Sequence, residues 1–387
     1  MIHVGVASLY SSGSRPWGLP HFNLPKHRDS KFRMIIPGER PSMQSMKKLD
    51  ARHALLIAVT TGLACAASSA FAAPSTEQER DLQAHEIWND IVTHNPAPAE
   101  GCFHTTYPST VWVKDTCYQA PHRYSPPPRR SKTGEYETVG NGNDDVIEVS
   151  GKQISQTVGT FPTVTGVTSE KGVGVAAFGG GGILGANEYT LQINSQMNKS
   201  TAACKSKSGC TVWQQYVYSP DYDVQGKAAV FIEYWLLGYG SSCPSGWDTD
   251  DEGDCVKNSS YTTAPDEPIT QLKSEKLSGS AASGGNDVAV FTDGSTAYTF
   301  SAKDSVLDLG TAWDESEFNV VGNAGGSKAD FNSGSSVTVK IAVTDGSTAA
   351  PTCLKNGGTT GETNNLTLKT CTATGATSPY IQFVESN

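Results

Sequence analysis

Residues 336–346 read "SVTVKIAVTDG", with Val337, Val339, Ile341 and Val343 at alternate positions and Thr338, Lys340 and Thr344 between them. A two-residue period is the mark of a strand with one face in a core. From about Val146 onward this pattern recurs and sets what the chain can become. "VAVFTDGSTAYTF" reads as a hairpin with Asp293-Gly294 in its turn. Further strands are expected in "EYTLQIN", "TVWQQYVY", "AAVFIEYWLL", "DSVLDLG", "EFNVVG", "LTLKTCTA" and "YIQFVE". After residue 150 no stretch carries the spacing of a long amphipathic helix. Many short strands between Gly- and Ser-rich turns predict an all-β fold, an antiparallel β-sandwich of jelly-roll type. A short helix-containing extension is expected before it. Ser75-Thr76 caps "EQERDLQAHEIWNDIVTHN", in which Leu82, Ile87, Trp88 and Ile91 form an apolar stripe.

The start of the chain reads as an address. Residues 1–45 show no apolar period and look like an over-called extension. Residues 46–72 have the form of a secretory signal: Met46-Lys47-Lys48 and Arg52, an apolar run from Ala54 to Ala67, then Ala70-Phe71-Ala72 as an A-x-A cleavage site. That predicts a secreted or periplasmic protein with no membrane attachment after cleavage. Residues 73–132 form a pro-like region that ends in the linker "SPPPRRSK", whose Arg129-Arg130 pair suits a processing protease; an extension packed on the main domain fits equally. Residues 133–387 are the sandwich domain. The first 72 residues hold nine of the 29 Lys/Arg and three of the 39 Asp/Glu, leaving 20 basic against 36 acidic residues. Such a surface repels nucleic acid and anionic membranes. Eight cysteines remain after the signal, in the sequence-local couples Cys102/Cys117, Cys204/Cys210, Cys243/Cys255 and Cys353/Cys371. Nearest-neighbour disulfides are expected, since no Cys-x-x-Cys knuckle for zinc occurs.

Chemistry is read by elimination. His85, His94, His104 and His122 all precede the Pro-rich linker or fall just before it, and residues 133–387 contain no histidine. That domain therefore builds no Ser-His-Asp triad, no Cys-His pair and no histidine-ligated zinc site within itself. Carboxylate chemistry remains. Glu233 stands between Phe231 and Trp235 on one face of an extended strand, with Ile232 and Tyr234 on the other. A carboxyl poorly solvated in such company suits general acid/base work in mildly acidic medium. A solvent-facing Glu233, or one paired with Lys227, is the plainer alternative. Gln192 and Gln215 are strand-borne amides that can donate to an oxyanion without titrating. Asp248, Asp250 and Glu252 begin a calcium-loop pattern, but its twelfth position is Ser259 where a bidentate Glu is required. They are a candidate calcium site, with a solvated acidic loop as the plainer reading; no other cofactor is expected.

On "FIEYWL", the strand glutamines and the histidine-free sandwich, the chain resembles the glutamic peptidases, the eqolisin and neprosin-like group. The resemblance covers roughly residues 150–260. It implies an acid-acting hydrolase made with a pro-segment, Glu233 as the base that activates water, and Gln192 or Gln215 as the oxyanion donor. The chain also resembles bacterial secreted β-sandwich proteins of unknown role through "WQQYVYS" and "CPSGW". An alternative from another class is a non-catalytic carbohydrate-binding, lectin-like module, because Trp213, Tyr216, Tyr218, Tyr234, Trp235, Tyr239 and Trp247 crowd one region. The expected partners are thus an extracellular protein or polysaccharide. A glycosidase needs a second carboxylate, for which Glu188 is a candidate.

Overall fold

The computed structural model describes residues 76–120 and 144–387, apart from 177–178, 223–225 and 250–252. The segment expected to be a secretory signal, the Pro-rich linker, His122 and two of the calcium candidates, Asp250 and Glu252, lie outside the described residues. In chain order, helix α1 (Glu77–His94) precedes the main strands. These are β1 (Gly101–Thr106), β2 (Val146–Glu148), β3 (Gln156–Thr165), β4 (Tyr189–Ser195), β5 (Thr211–Ser219), β6 (Ala228–Leu237), β7 (Cys255–Asn258), β8 (Lys276–Ala281), β9 (Asn286–Thr292), β10 (Thr296–Lys303), β11 (Glu315–Gly322), β12 (Ser336–Thr344) and β13 (Tyr380–Ser386).

These strands form two large antiparallel sheets packed face to face. The back sheet runs β1-β10-β9-β8-β3-β12-β13, and the front sheet runs β7-β6-β5-β4-β11-β2, each with short strands at its edges. Between them lies one core. Val337, Val339 and Ile341 of β12 are fully buried, as their alternation predicts, and meet Phe318, Val320, Tyr216 and Ile232 in the same cluster. Tyr218 of the front sheet stacks flat on Phe291 of the back sheet with 3.7 Å between ring centroids. Glycines set the spacing. A Cβ on Gly159 would fall inside the Phe318 ring, and one on Gly279 inside the Tyr216 ring. A small third sheet, built on Glu170–Gly174 and Ser327–Phe331, follows on from the end of β11.

The predicted hairpin is present as β9 and β10, with Gly294 at φ +100° and the Asp293 carboxylate accepting from the backbone of Ser295 and Thr296. "DSVLDLG" is not a strand. It forms two short 3-10 turns, Asp304–Val306 and Leu309–Thr311. Here Asp304 accepts from the Gly310 N–H at 2.8 Å and Asp308 takes a left-handed conformation. Local side-chain bonds of this kind outcompete a strand ladder. All four nearest-neighbour disulfides form, with Cα separations from 5.3 to 6.6 Å, as fits maturation in an oxidising compartment. Among the described residues, no helix is long and apolar enough to cross a membrane.

The N-terminal segment is woven into the sandwich. β1 pairs with β10 over six residues, and Tyr118 bridges to Tyr261 beside the front sheet. Helix α1 begins with the expected capping box between Thr76 and Glu79, but its buried face differs from the predicted stripe. Trp88 and Val92 pack against Val288 and Val290 of β9, whereas Leu82 and Ile87 are 59% and 56% exposed. Thr93 is buried as well, and its carbonyl accepts from the Gln156 amide of β3 at 2.8 Å.

Candidate functional site

The outer face of the front sheet carries the site. Register puts five side chains in one row across five strands: Asn258 of β7 opposite Glu233 of β6, Glu233 opposite Gln215 of β5, Gln215 opposite Asn194 of β4, and Asn194 opposite Glu317 of β11. One step along, Val217 of β5 stands opposite Gln192 of β4. The row is flanked by apolar ground on both sides. Trp213, Trp235, Leu237 and Met197 form one cluster, and Val217, Phe231, Tyr222 and Tyr261 the other. Alternation within β6 therefore places Glu233 between two hydrophobic patches, and it is only 4% exposed.

A pocket opens over this row. The sheet supplies Thr190, Gln192, Gln215, Val217, Phe231, Glu233 and Asn258. Ile183, Ser219, Tyr222, Asn323, Ala324 and Glu362 complete its lining. It encloses about 470 Å³ including its open mouth. Among the described residues no Lys, Arg or His lines it. The three residues singled out in the sequence, Glu233, Gln192 and Gln215, are thus brought together. Gln214 is not: it faces the core and donates to Asp287 at 2.9 Å.

Hydrogen bonds join the row. The Trp235 indole N–H donates to Glu233 Oε1 at 2.8 Å. The Gln215 amide donates to Gln192 Oε1 and to Asn194 Oδ1, both at 3.1 Å. Asn194 donates to Glu317 at 3.2 Å, and Glu317 also accepts from the backbone N–H and the hydroxyl of Thr359. Beyond Glu317 lies a buried acid group. Burial, then the neighbouring Glu317 and Glu385 carboxylates, push Asp144 well above the ordinary carboxyl range. Burial also pushes Glu385 up to about 8 against the donors Asn319 and Asn364. Elsewhere in the lining, Glu362 accepts from the Gly326 N–H at 3.1 Å and from the Thr360 hydroxyl.

Glu188, the candidate second carboxylate, does not line the pocket. It sits behind Asn323, whose amide donates to it at 3.1 Å, and burial followed by the Asp221 carboxyl raises it to about 8. The carboxylate that does reach the pocket is Glu362. Its "TTGETNN" context is polar and carries no strand or motif signal, so only the folded chain reveals it. The seven rings singled out in the sequence do not form an exposed platform. Trp213, Tyr216, Tyr218, Tyr234, Trp235 and Tyr239 are buried and Trp247 is partly buried against the core; large rings contribute more by filling an interior than by lying on a surface. Asp248 sits on a short edge strand. The Asp145, Cys353 and Cys371 grouping offers no metal site, because both cysteines are in a disulfide. His104 pairs with Asp115 at 2.6 Å on the N-terminal segment, away from the carboxylate pocket.

No family model matches the chain, and no curated protein matches it. Among solved structures it is similar to the kappa-carrageenase from Pseudoalteromonas carrageenovora in complex with an oligotetrasaccharide of kappa-carrageenan. The identity is 6%, over 75% of this chain and 96% of that chain, with a TM-score of 0.22. The fold assignment rests on the strand pairing given above.

Proposed function

We propose that the protein is a secreted hydrolase of glutamic-peptidase type, working in acid, with Glu233 as its acid/base group. One observation carries this reading: Glu233 and the amide-bearing residues Gln192 and Gln215 share one pocket on the outer face of a β-sheet. Water there meets a carboxyl flanked by rings and fixed by an indole N–H. Such a group exchanges protons at a carbonyl centre without a metal or a histidine. The neighbouring apolar patch of Val217, Phe231 and Tyr222 would seat a substrate side chain. The test is digestion of an acid-denatured protein at about pH 3–5, near the ordinary carboxyl range. Glu233→Gln is expected to lower kcat/KM by about 10²–10⁴-fold; undiminished digestion by that variant removes Glu233 from the role.

A second reading has its own observation. Glu362 lines the same pocket as Glu233, and two carboxyls about 5–10 Å apart across a cleft are what glycoside hydrolysis requires. Release of reducing ends from a polysaccharide panel, lost in both Glu233→Gln and Glu362→Gln, together with no proteolysis, would favour it.

A further inference from the structure

The hydrogen bonds of the polar row have a direction, and two independent chains fix it. The first starts at the Gly322 carbonyl, which can only accept. Thr190 donates its single hydroxyl proton there at 2.8 Å. The Gln192 atom 3.0 Å from the Thr190 oxygen must then be the amide nitrogen, so Gln192 turns its oxygen toward Gln215. That oxygen accepts from Gln215 at 3.1 Å. The second chain starts at the Trp213 indole and the Thr359 backbone N–H, which can only donate. The indole N–H goes to the Thr359 hydroxyl oxygen at 3.1 Å, and the Thr359 hydroxyl and N–H go to Glu317. Glu317, already an acceptor, takes the Asn194 amide N–H, so Asn194 turns its oxygen toward Gln215 and accepts from it at 3.1 Å. Both chains demand the same orientation of Gln215. Amide orientation is normally set by its surrounding bonds, and here both N–H groups of Gln215 are committed to β4.

We infer that these two chains lock Gln215 with its carbonyl oxygen toward Glu233, so that Gln215 accepts a hydrogen bond from the carboxyl O–H and holds Glu233 in its acid form, and that Thr190 and Glu317 are the positioning residues. The inference deepens the hydrolase reading and rests on the same pocket. A carbonyl opposite a carboxylate would set two acceptors against each other, whereas a carbonyl opposite a carboxylic acid makes a bond. Trp235 beside it favours the charged form and Glu362 in the same pocket favours the neutral one; Thr190, Gln192, Ser219, Tyr222, Asn258 and Asn323 also line the pocket. It also changes the oxyanion assignment drawn from the sequence: in this arrangement both N–H groups of Gln215 and one of Gln192 are taken up by the sheet network.

The test needs no substrate. The carboxylic C=O infrared band of Glu233, isolated as the difference between the protein and its Glu233→Gln variant, is followed against pH. The band is expected to persist above the ordinary Glu midpoint of about 4.3. Thr190→Val keeps shape and charge but removes the first chain's anchor, and Gln215→Met removes the acceptor itself. Each is expected to lower the midpoint by about one unit or more, while Thr190→Ser, which keeps the hydroxyl, restores it. Far-UV circular dichroism confirms that each variant is folded. A midpoint unchanged in both folded variants, or a Glu233 already ionised below about pH 4.3, overturns the inference. A protein that shows the raised, Thr190-dependent midpoint yet hydrolyses neither protein nor polysaccharide keeps the lock and loses the hydrolase.

Discussion

At the scale of single residues, Glu233 is held between opposing influences, and conservative substitutions separate them. Trp235→Phe removes an N–H donor that stabilises the charged carboxylate. The Glu233 midpoint is therefore expected to rise by up to about one unit, opposite in sign to Thr190→Val, in the same infrared titration. The ring also packs against Trp213 and Met197, so a stability loss of about 1–2 kcal/mol should accompany it. Position 233 was legible in the sequence because strand alternation alone puts it with Phe231 and Trp235. Gln215 was legible as a candidate amide, but its pairing with Glu233 was not: only the register of β5 against β6 sets the two opposite each other. Asn194, Glu317 and Glu362 gave no local signal at all, since their role arises from strand order and from a loop more than a hundred residues beyond Glu233.

At the scale of elements, spacing between the sheets depends on residues that have no side chain. Gly279→Ala would drive a methyl into the Tyr216 ring, and Gly159→Ala would do the same to Phe318. Overpacking of this kind costs about 1–3 kcal/mol, measurable as a fall in urea midpoint with unchanged slope. The N-terminal segment is the second elemental point. Since β1 covers the edge of β10, a chain beginning after residue 120 leaves six residues of strand unpaired. Such a truncation is expected to associate or aggregate, seen by light scattering, as bare edges do. The helix itself was legible from its capping box. Its buried face was not, because Leu82, Ile87 and Ile91 satisfy a helical period as well as Trp88 and Val92 do, and only the sheet decides which ones it covers.

At the scale of the whole molecule, buried acids dominate. Burial, with Glu188 next, lifts Glu170 to about 8, as Glu188 and Glu385 are lifted. Each has a folded-state pKa above its unfolded value near about 4.3. Folding therefore gains from their protonation in full below that value, and loses the gain as pH rises through about 8. The melting temperature is expected to be higher at about pH 5 than at about pH 9, by calorimetry at constant ionic strength. A flat or rising profile would show that these carboxyls ionise without cost. An acid-favouring body is consistent with the proposed acid-pH hydrolase, although nothing in composition beyond the surplus of Asp and Glu announced it.

The disulfides have a bearing on how the chain is made. Each bridge joins cysteines between 6 and 18 residues apart, and none ties one large sheet to the other by a long loop. A chain emerging N-terminus first can oxidise every couple as soon as its second member appears, because short loops close at little entropic expense. Correct thiol partners are thus chosen by nearness along the polymer before any distant strand arrives. By the time β12 and β13, the last long strands, are made, three of the four couples already stand complete behind them in the chain.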